Sequence, residues 1–347
     1  MFQAFRYRDF RLVWSGAAVS SVGTWMQKLA QSWLVLEISG SPFWLGLDAF
    51  LGEIPIFLFS LVGGVAADRI DRRRILIAGQ FLQMSCALLL AGLVTAGVVQ
   101  VWHILCLSFL VGLAQAFGGP AYAALIPSLV KPRELPNAIA MNSIQFNIAR
   151  VLGPMAGGLA LTKLGAAACF LINGLSYLAP ITSLLLIRVR FTPRRTAESV
   201  LESIRQGFAF IRRQTAMEAL IALAFSMTIF GVPVIVFLPV FARDVFHGGP
   251  EVYTLLLSLS GAGSITGALL VAAFGHGKHK GRATLMALVA LGAAIAGFAL
   301  SRNLALSSAL LFLGGAALVV VFAMVTSLVQ LIAVDEMRGR VMSVYNV

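Results

Sequence analysis

The sequence predicts an all-α polytopic membrane protein, on three observations. Charged residues make up 12% of the chain and hydrophobic ones 59%, about half the charge with which soluble domains cover their cores. The apolar residues gather into ten runs of roughly 20 residues or more, the length that crosses hydrocarbon as a helix. The basic residues gather in alternate connections between those runs. The net charge of +12 could otherwise point to nucleic acid. The alternation accounts for it as topology, so no nucleic-acid partner is expected.

In order, the spans read as about 13–37, 43–67, 75–97, 102–126, 138–163, 166–188, 217–242, 252–274, 283–301 and 304–331. With the N-terminus inside, the inner segments carry 21 of the 26 Lys and Arg, and the outer ones only Lys163, Arg243 and Arg302. Cytoplasmic loops retain such an excess, so the N-terminus is expected in the cytoplasm. Met1 to Arg11 is basic and precedes an apolar run too long for a signal-peptide core, with no small-residue cleavage site after it. It reads as an uncleaved first span. One connection is long. In 189–216, Leu201, Ile204, Phe208 and Ile211 recur at helical steps beside a charged face, the pattern of an amphipathic linker on the inner membrane surface. It divides the chain into a first bundle, 1–188, and a second, 217–347.

The densest charge lies between the second and third spans, where Gly64-Val-Ala-Ala-Asp68-Arg69-Ile-Asp71-Arg72-Arg73-Arg74 holds six charges in seven residues. Ions at that density cannot enter hydrocarbon, so this is a tight loop at a membrane face. The spacing of Gly64, Asp68, Arg69, Arg72 and Arg73 resembles the signature between the second and third helices of the major facilitator superfamily. Asp71 stands where that signature has glycine. The resemblance implies that the glycine allows close helix approach and that the Asp and Arg side chains latch the ends of neighbouring helices. The alternative is a basic stop-transfer loop with no gating role.

The two halves repeat weakly, roughly 205 residues apart. Lys278-His-Lys280-Gly281-Arg282 answers the loop of the first half, and Val334-Asp-Glu336-Met-Arg338 loosely answers Lys131-Pro-Arg-Glu134. The superfamily has parallel repeats of six spans each, and two such halves would exceed the 347 residues present. The expectation is therefore two six-helix bundles by family, with about ten spans here and the last two missing after an incomplete entry at Arg338–Asn346. A true ten-span protein is the alternative.

Polar residues inside spans are expensive and therefore functional candidates. The first span carries Gln27, Lys28 and Gln31, the second Asp48 and Glu53, the fifth Asn142, Asn147 and Arg150; Gln115 lies in the fourth. At 1.5 Å per residue, Lys28 and Glu53 come out at nearly the same depth, roughly 14–15 Å below the outer face, and Arg150 lies close to the midplane. One reading is a proton and charge cluster of Lys28, Asp48, Glu53 and Arg150 in a central cavity, with Glu53 or Asp48 carrying a proton. The other is a structural Lys28–Glu53 ion pair. Arg150 is either a fixed cation for acidic substrate or a cap on neighbouring carbonyls. Gln27, Gln31, Gln115, Asn142 and Asn147 are the polar candidates for the cavity. Trp25, Trp33, Phe50, Phe57 and Tyr122 either line it or serve packing and the lipid face.

In the fifth span, Gly153-Pro154-Met-Ala-Gly157-Gly158 resembles the motif of facilitator antiporters, found in exporters. Glycines admit close helix packing and proline leaves a carbonyl unpaired. Generic packing is the alternative. The fourth span lacks the arginine that drug–proton antiporters carry there, and its His103, at the outer mouth, reads as a surface residue. Phe10-Arg-Leu-Val-Trp14-Ser-Gly16, Gly23-Thr-Trp25-Met-Gln27 and Ile126-Pro-Ser-Leu-Val-Lys-Pro-Arg-Glu-Leu-Pro-Asn137 are similar to the bacterial efflux branch of enterobactin-exporter-like and macrolide-efflux-like proteins. The resemblance implies a monomeric, secondary-active exporter of small amphipathic molecules in a bacterial inner membrane, with protons as coupling ion. Import, or a truncated or non-transporting protein, is the alternative. No catalytic constellation or phosphate-binding loop appears. Cys86, Cys106 and Cys169 fit no metal spacing and read as buried packing residues, so neither enzyme activity, metal nor cofactor is expected.

Overall fold

The computed structural model describes residues 3–188, 208–274 and 280–333, with Val341 and Tyr345. Among the described residues every regular element is helical. The linker residues 189–207, the loop residues 275–279 and most of the stretch after 333 lie outside the described residues.

The chain forms two compact units, Met1–Arg195 with Gly248–Thr254, and Thr196–His247 with Leu255–Val347. The first contains α1 (Arg8–Ser39), α2 (Pro42–Arg69), α3 (Arg72–Thr95), α4 (Val101–Leu129), α5 (Leu135–Leu164) and a rod divided into α6 (Ala166–Ser176) and α7 (Leu178–Leu186). Pro180 divides the rod, because it cannot donate to the carbonyl four residues back. The second unit is built from α8 (Thr215–Val236), most of α9 (Pro250–Phe274), α10 (Lys280–Leu300) and α11 (Leu304–Ile332). Polar side chains start several helices. Ser41 accepts from the Phe43 N–H, Asp71 from Arg73 and Asn303 from Ala305 and Leu306, each satisfying a donor that a helix start leaves free. At the start of α4, His103, expected to be a surface residue, caps the helix, its Nδ1 accepting the Gln100 N–H at 3.0 Å.

Eight helical stretches among the described residues are long and apolar enough to cross a membrane. The sequence reading has ten. The difference lies in α1 and α5, which at 32 and 30 residues are long enough but hold the amides and cations singled out above. Around the helices the large apolar side chains point outward, with Phe230 71%, Val289 73% and Leu300 85% exposed. Lipid, not water, is the solvent that accepts such a surface.

Within the first unit α2 packs on α4, α1 on α5 and on the α6–α7 rod, and α3 on α4 and α6. Small residues set these pairings, as membrane helices require. A side chain at Gly63 would strike the Ala116 carbonyl, and one at Gly112 the Gly52 carbonyl. Gly64, expected to be the close-approach glycine, has nothing within 4 Å of its missing side chain. One residue is about 100° of helix, so only Gly63 of the pair faces α4. Cys86 and Cys169 are buried as expected, whereas Cys106 is exposed, because it lies on the outward face of α4.

Candidate functional site

A cavity of about 710 Å³ opens within the first unit, walled by α1, α3, α4, α5 and α7. Its walls are mainly apolar, and its polar groups are neutral. Gln115 donates to Gln83 Oε1 at 3.3 Å, and the Tyr177 hydroxyl donates to the same oxygen at 3.4 Å and meets Thr24 at 3.3 Å. Tyr122 donates to Asn142 at 3.4 Å. The side-chain oxygen of Gln80 is buried and finds no hydrogen-bond partner among the described residues, an acceptor whose burial is costly unless a donor reaches it. No acidic or basic side chain is among the lining residues.

Of the sequence candidates, Gln115, Asn142, Asn147, Trp25 and Tyr122 line this cavity. Phe50 and Phe57 do not; they are 56% and 57% exposed. Trp33 lies elsewhere, stacked on Tyr253 at 6.4 Å between centroids. Gln80, Gln83 and Tyr177 were not singled out from the sequence. The signal was available, since two amides three residues apart in an apolar span share one helix face.

Gln27 and Gln31 belong to a second polar group. Asn173 of α6 donates to Gln27 at 2.7 Å, and Gln27 donates to Gln31 at 3.4 Å. Gln31 donates to both Asp48 oxygens at 3.2 and 3.0 Å. Ser108 of α4 donates to the same carboxylate. The amides are thus oriented in series toward Asp48, which is 8% exposed. Gly23 makes room for this string, since a side chain there would meet Asn173 and Ser176 at 2.6 Å.

The expected charge cluster assembles only in part, with Lys28 within electrostatic reach of Asp48 and Glu53 apart from the others. Asp48 is buried in its string of neutral donors. Glu53 is exposed, and among the described residues no ion pair joins it to Lys28, so the structural pair does not form. Five residues along α2 turn Glu53 away from the face that meets α1 and α4. Lys28 and Arg150 instead converge on Trp25, at 5.4 Å and 5.7 Å from its ring centroid.

At one end of the bundle, the charged turn ties helix ends together. Arg72 bridges Asp68 at 3.9 Å and donates to the Ala67 carbonyl at 3.1 Å and the Ala124 carbonyl of α4 at 2.8 Å. Arg73 donates to the Leu185 carbonyl of α7 at 2.7 Å. The last carbonyls of a helix have no partner of their own, and cations there are favourable. Arg69 is exposed and contributes no such bond among the described residues. In α5, Gly153 and Gly157 face Trp25 and Met26 of α1, and Gly158 faces Thr254. Pro154 is buried within the same helix.

The comparisons with known proteins agree with this architecture. The family model described as transmembrane secretion effector matches residues 1–347. Macrolide efflux protein A of Streptococcus pyogenes is 22% identical over 278 residues, covering 78% of this chain and 69% of that protein. The staphyloferrin A transporter of Staphylococcus aureus is 27% identical over 262 residues, covering 72% of this chain and 63% of the relative, so the chain spans less than two thirds of that relative's length. Among solved structures, a bacterial homologue of the human lysosomal transporter Spinster, inward-facing and unoccupied, superposes with a TM-score of 0.74 at 17% identity, over 97% of this chain and 78% of that one. Relatives and fold are those of transporters, not enzymes, with small molecules as substrates and a membrane as setting. With the helical pairing and the whole-length match together, this multi-pass membrane protein belongs to the transmembrane secretion effector family of the major facilitator superfamily.

Proposed function

We propose that this protein exports small amphipathic molecules by alternating access, driven by protons moving the other way. The observation that carries the proposal is the cavity of the first unit, where neutral amide and hydroxyl groups are spaced along apolar walls. Such a surface binds a partly apolar molecule by shape and a few hydrogen bonds. The outward direction is supported by the glycines of α5 meeting α1 and Thr254, by the antiporter-like sequence they belong to, and by relatives whose names describe efflux.

For the proton, Asp48 is our choice over Glu53. All its neighbours donate to it, which suits the ionised form. A carboxylic acid there needs one acceptor, and the Ser108 hydroxyl can supply it by turning, because a hydroxyl both donates and accepts. Protonation would then rearrange a string that ties α1, α2, α4 and α6. In this scheme the bundles 1–188 and 217–347 move about the linker 189–216 in a single copy of the protein, with the N-terminus and the Asp68–Arg73 turn cytoplasmic. That orientation is supported by the 21 inner basic residues against three outer ones.

Cells expressing the chain should retain less of an exported amphipathic dye than cells without it, and an uncoupler should abolish the difference. Retention that is unchanged by expression would overturn export, and efflux indifferent to the uncoupler would overturn proton coupling.

A further inference from the structure

We infer that the first unit's cavity takes an anionic amphipathic molecule whose apolar body lies on Trp25 and whose negative group reaches past that ring to Lys28 and Arg150, which stand outside the cavity's lining. This rests on the transport function proposed above and narrows its substrate class.

Trp25 lines the cavity and meets Phe146, another lining residue, edge to face at 6.0 Å. Lys28 stands one helical turn beyond Thr24 on α1, and Arg150 one turn beyond Phe146 on α5. Both reach the same ring, so the two charges are separated by no more than the sum of those two distances. Gly153 fixes the ring's position, since any side chain there would strike the Trp25 Cβ.

Among the described residues neither cation is in an ion pair; Lys28 feels the charge of Asp48 at longer range, and Arg150 has no such neighbour among them. The ion pairs among the described residues are Arg8–Asp9, Arg72–Asp68 and Arg243–Asp244, and Asp48 is occupied by Gln31 and Ser108. The cavity wall holds no carboxylate either. Two like charges in no ion pair, sharing one aromatic ring next to a largely apolar space, repel one another and are costly there. A ligand carboxylate or sulfonate offsets both, and Arg offers it a two-pronged donor. A cationic ligand, which an aromatic face alone would attract, meets two fixed positive charges instead. The site therefore discriminates by repulsion as well as by attraction.

The test uses the purified full chain in detergent and three probes with one aromatic body: 2-naphthoate, 2-naphthamide and 2-naphthylmethylammonium. Equilibrium dialysis is expected to give 2-naphthoate about tenfold tighter binding than the other two. Arg150→Gln should lower 2-naphthoate affinity about tenfold and leave 2-naphthamide unchanged, while Arg150→Lys retains most of the binding. Lys28→Gln, at an exposed position, makes the same test should the Arg150 variants not fold. Equal affinity for the three probes, preference for the cation, or 2-naphthoate binding unaffected by removing either charge would overturn the inference. Cellular export indifferent to substrate charge would overturn it while leaving the efflux function standing. Selective anion binding without any export would do the reverse.

Discussion

In the first unit α2 and α4 meet with Gly63 against the Ala116 carbonyl and Gly112 against the Gly52 carbonyl; in the second, α9 and α11 meet with Gly267 against the Ala316 carbonyl and Gly315 against that of Ser260. The same pairing recurs at the repeat distance. The interiors differ. The first unit buries Asp48, Gln83, Ser108, Gln145 and Asn173, each bonded to a group on another helix or at a helix junction, beside a cavity of about 710 Å³. The second buries serines and a threonine; Ser264 and Thr284 bond to their own helix at 3.0 and 2.8 Å, and Ser264 reaches the Gly315 carbonyl of α11 only at 3.4 Å. Its pocket is about 30 Å³. Helix pairing in a membrane therefore needs small residues and no ionisable ones. The polar interior of the first unit goes beyond what that pairing needs, which is why function is sought there.

Asp48→Asn is the strongest way to break this contrast. Gradient-driven efflux should fall about tenfold or more, the effect of roughly 1.4 kcal/mol on the barrier, while Ser264→Ala in the second unit leaves it within about twofold. Transport by both variants in proteoliposomes with an imposed pH gradient checks this. Equal losses would mean that the two interiors serve the same end.

Stability probes the shared pairing. Gly63→Leu and Gly315→Leu should each destabilise by about 1–3 kcal/mol, because a side chain is forced against a carbonyl. Their neighbours should behave oppositely. Gly64 has open space and Gly314 only Ala294 at 3.6 Å, so alanine at either should stabilise by about 0.5–1 kcal/mol. Thermal unfolding in detergent reads all four. A Gly64→Ala variant that is more stable yet transports poorly would give that glycine a part in the transport cycle and none in packing.

The charged turn holds both a moderate effect and the smallest one. Arg72→Gln loses two carbonyl contacts and should cost about 1–2 kcal/mol. Arg69→Gln should stay within about 0.5 kcal/mol. If Arg69 proves equally costly, the turn acts through net charge and not through the carbonyls it reaches.

Much of the fold was legible in the chain. Run length and charge density predicted the helices to within a few residues; the paired loops at 278–282 and 334–338, from which the repeat was read, lie mostly outside the described residues. The candidate site was legible as a list of residues but not as an arrangement. Lys28 and Glu53 share a depth, yet depth along the axis says nothing about azimuth, and the two do not pair. Asp48, offered beside Glu53 as a proton carrier, is the buried one of the two. Gln27 and Gln31 look like cavity residues until Asn173, distant in sequence, joins them to Asp48.

The sequence by itself determined that this is a helical membrane protein with a basic-loop bias and a polar first half, because hydrocarbon excludes charge whatever the partner helices do. Only the tertiary structure decided which glycine of each pair touches a neighbour, which carboxylate is enclosed, and that two cations from different helices share one tryptophan. Those are matters of which face each helix turns inward. Helices that are apolar nearly all round leave that choice to close packing between particular partners.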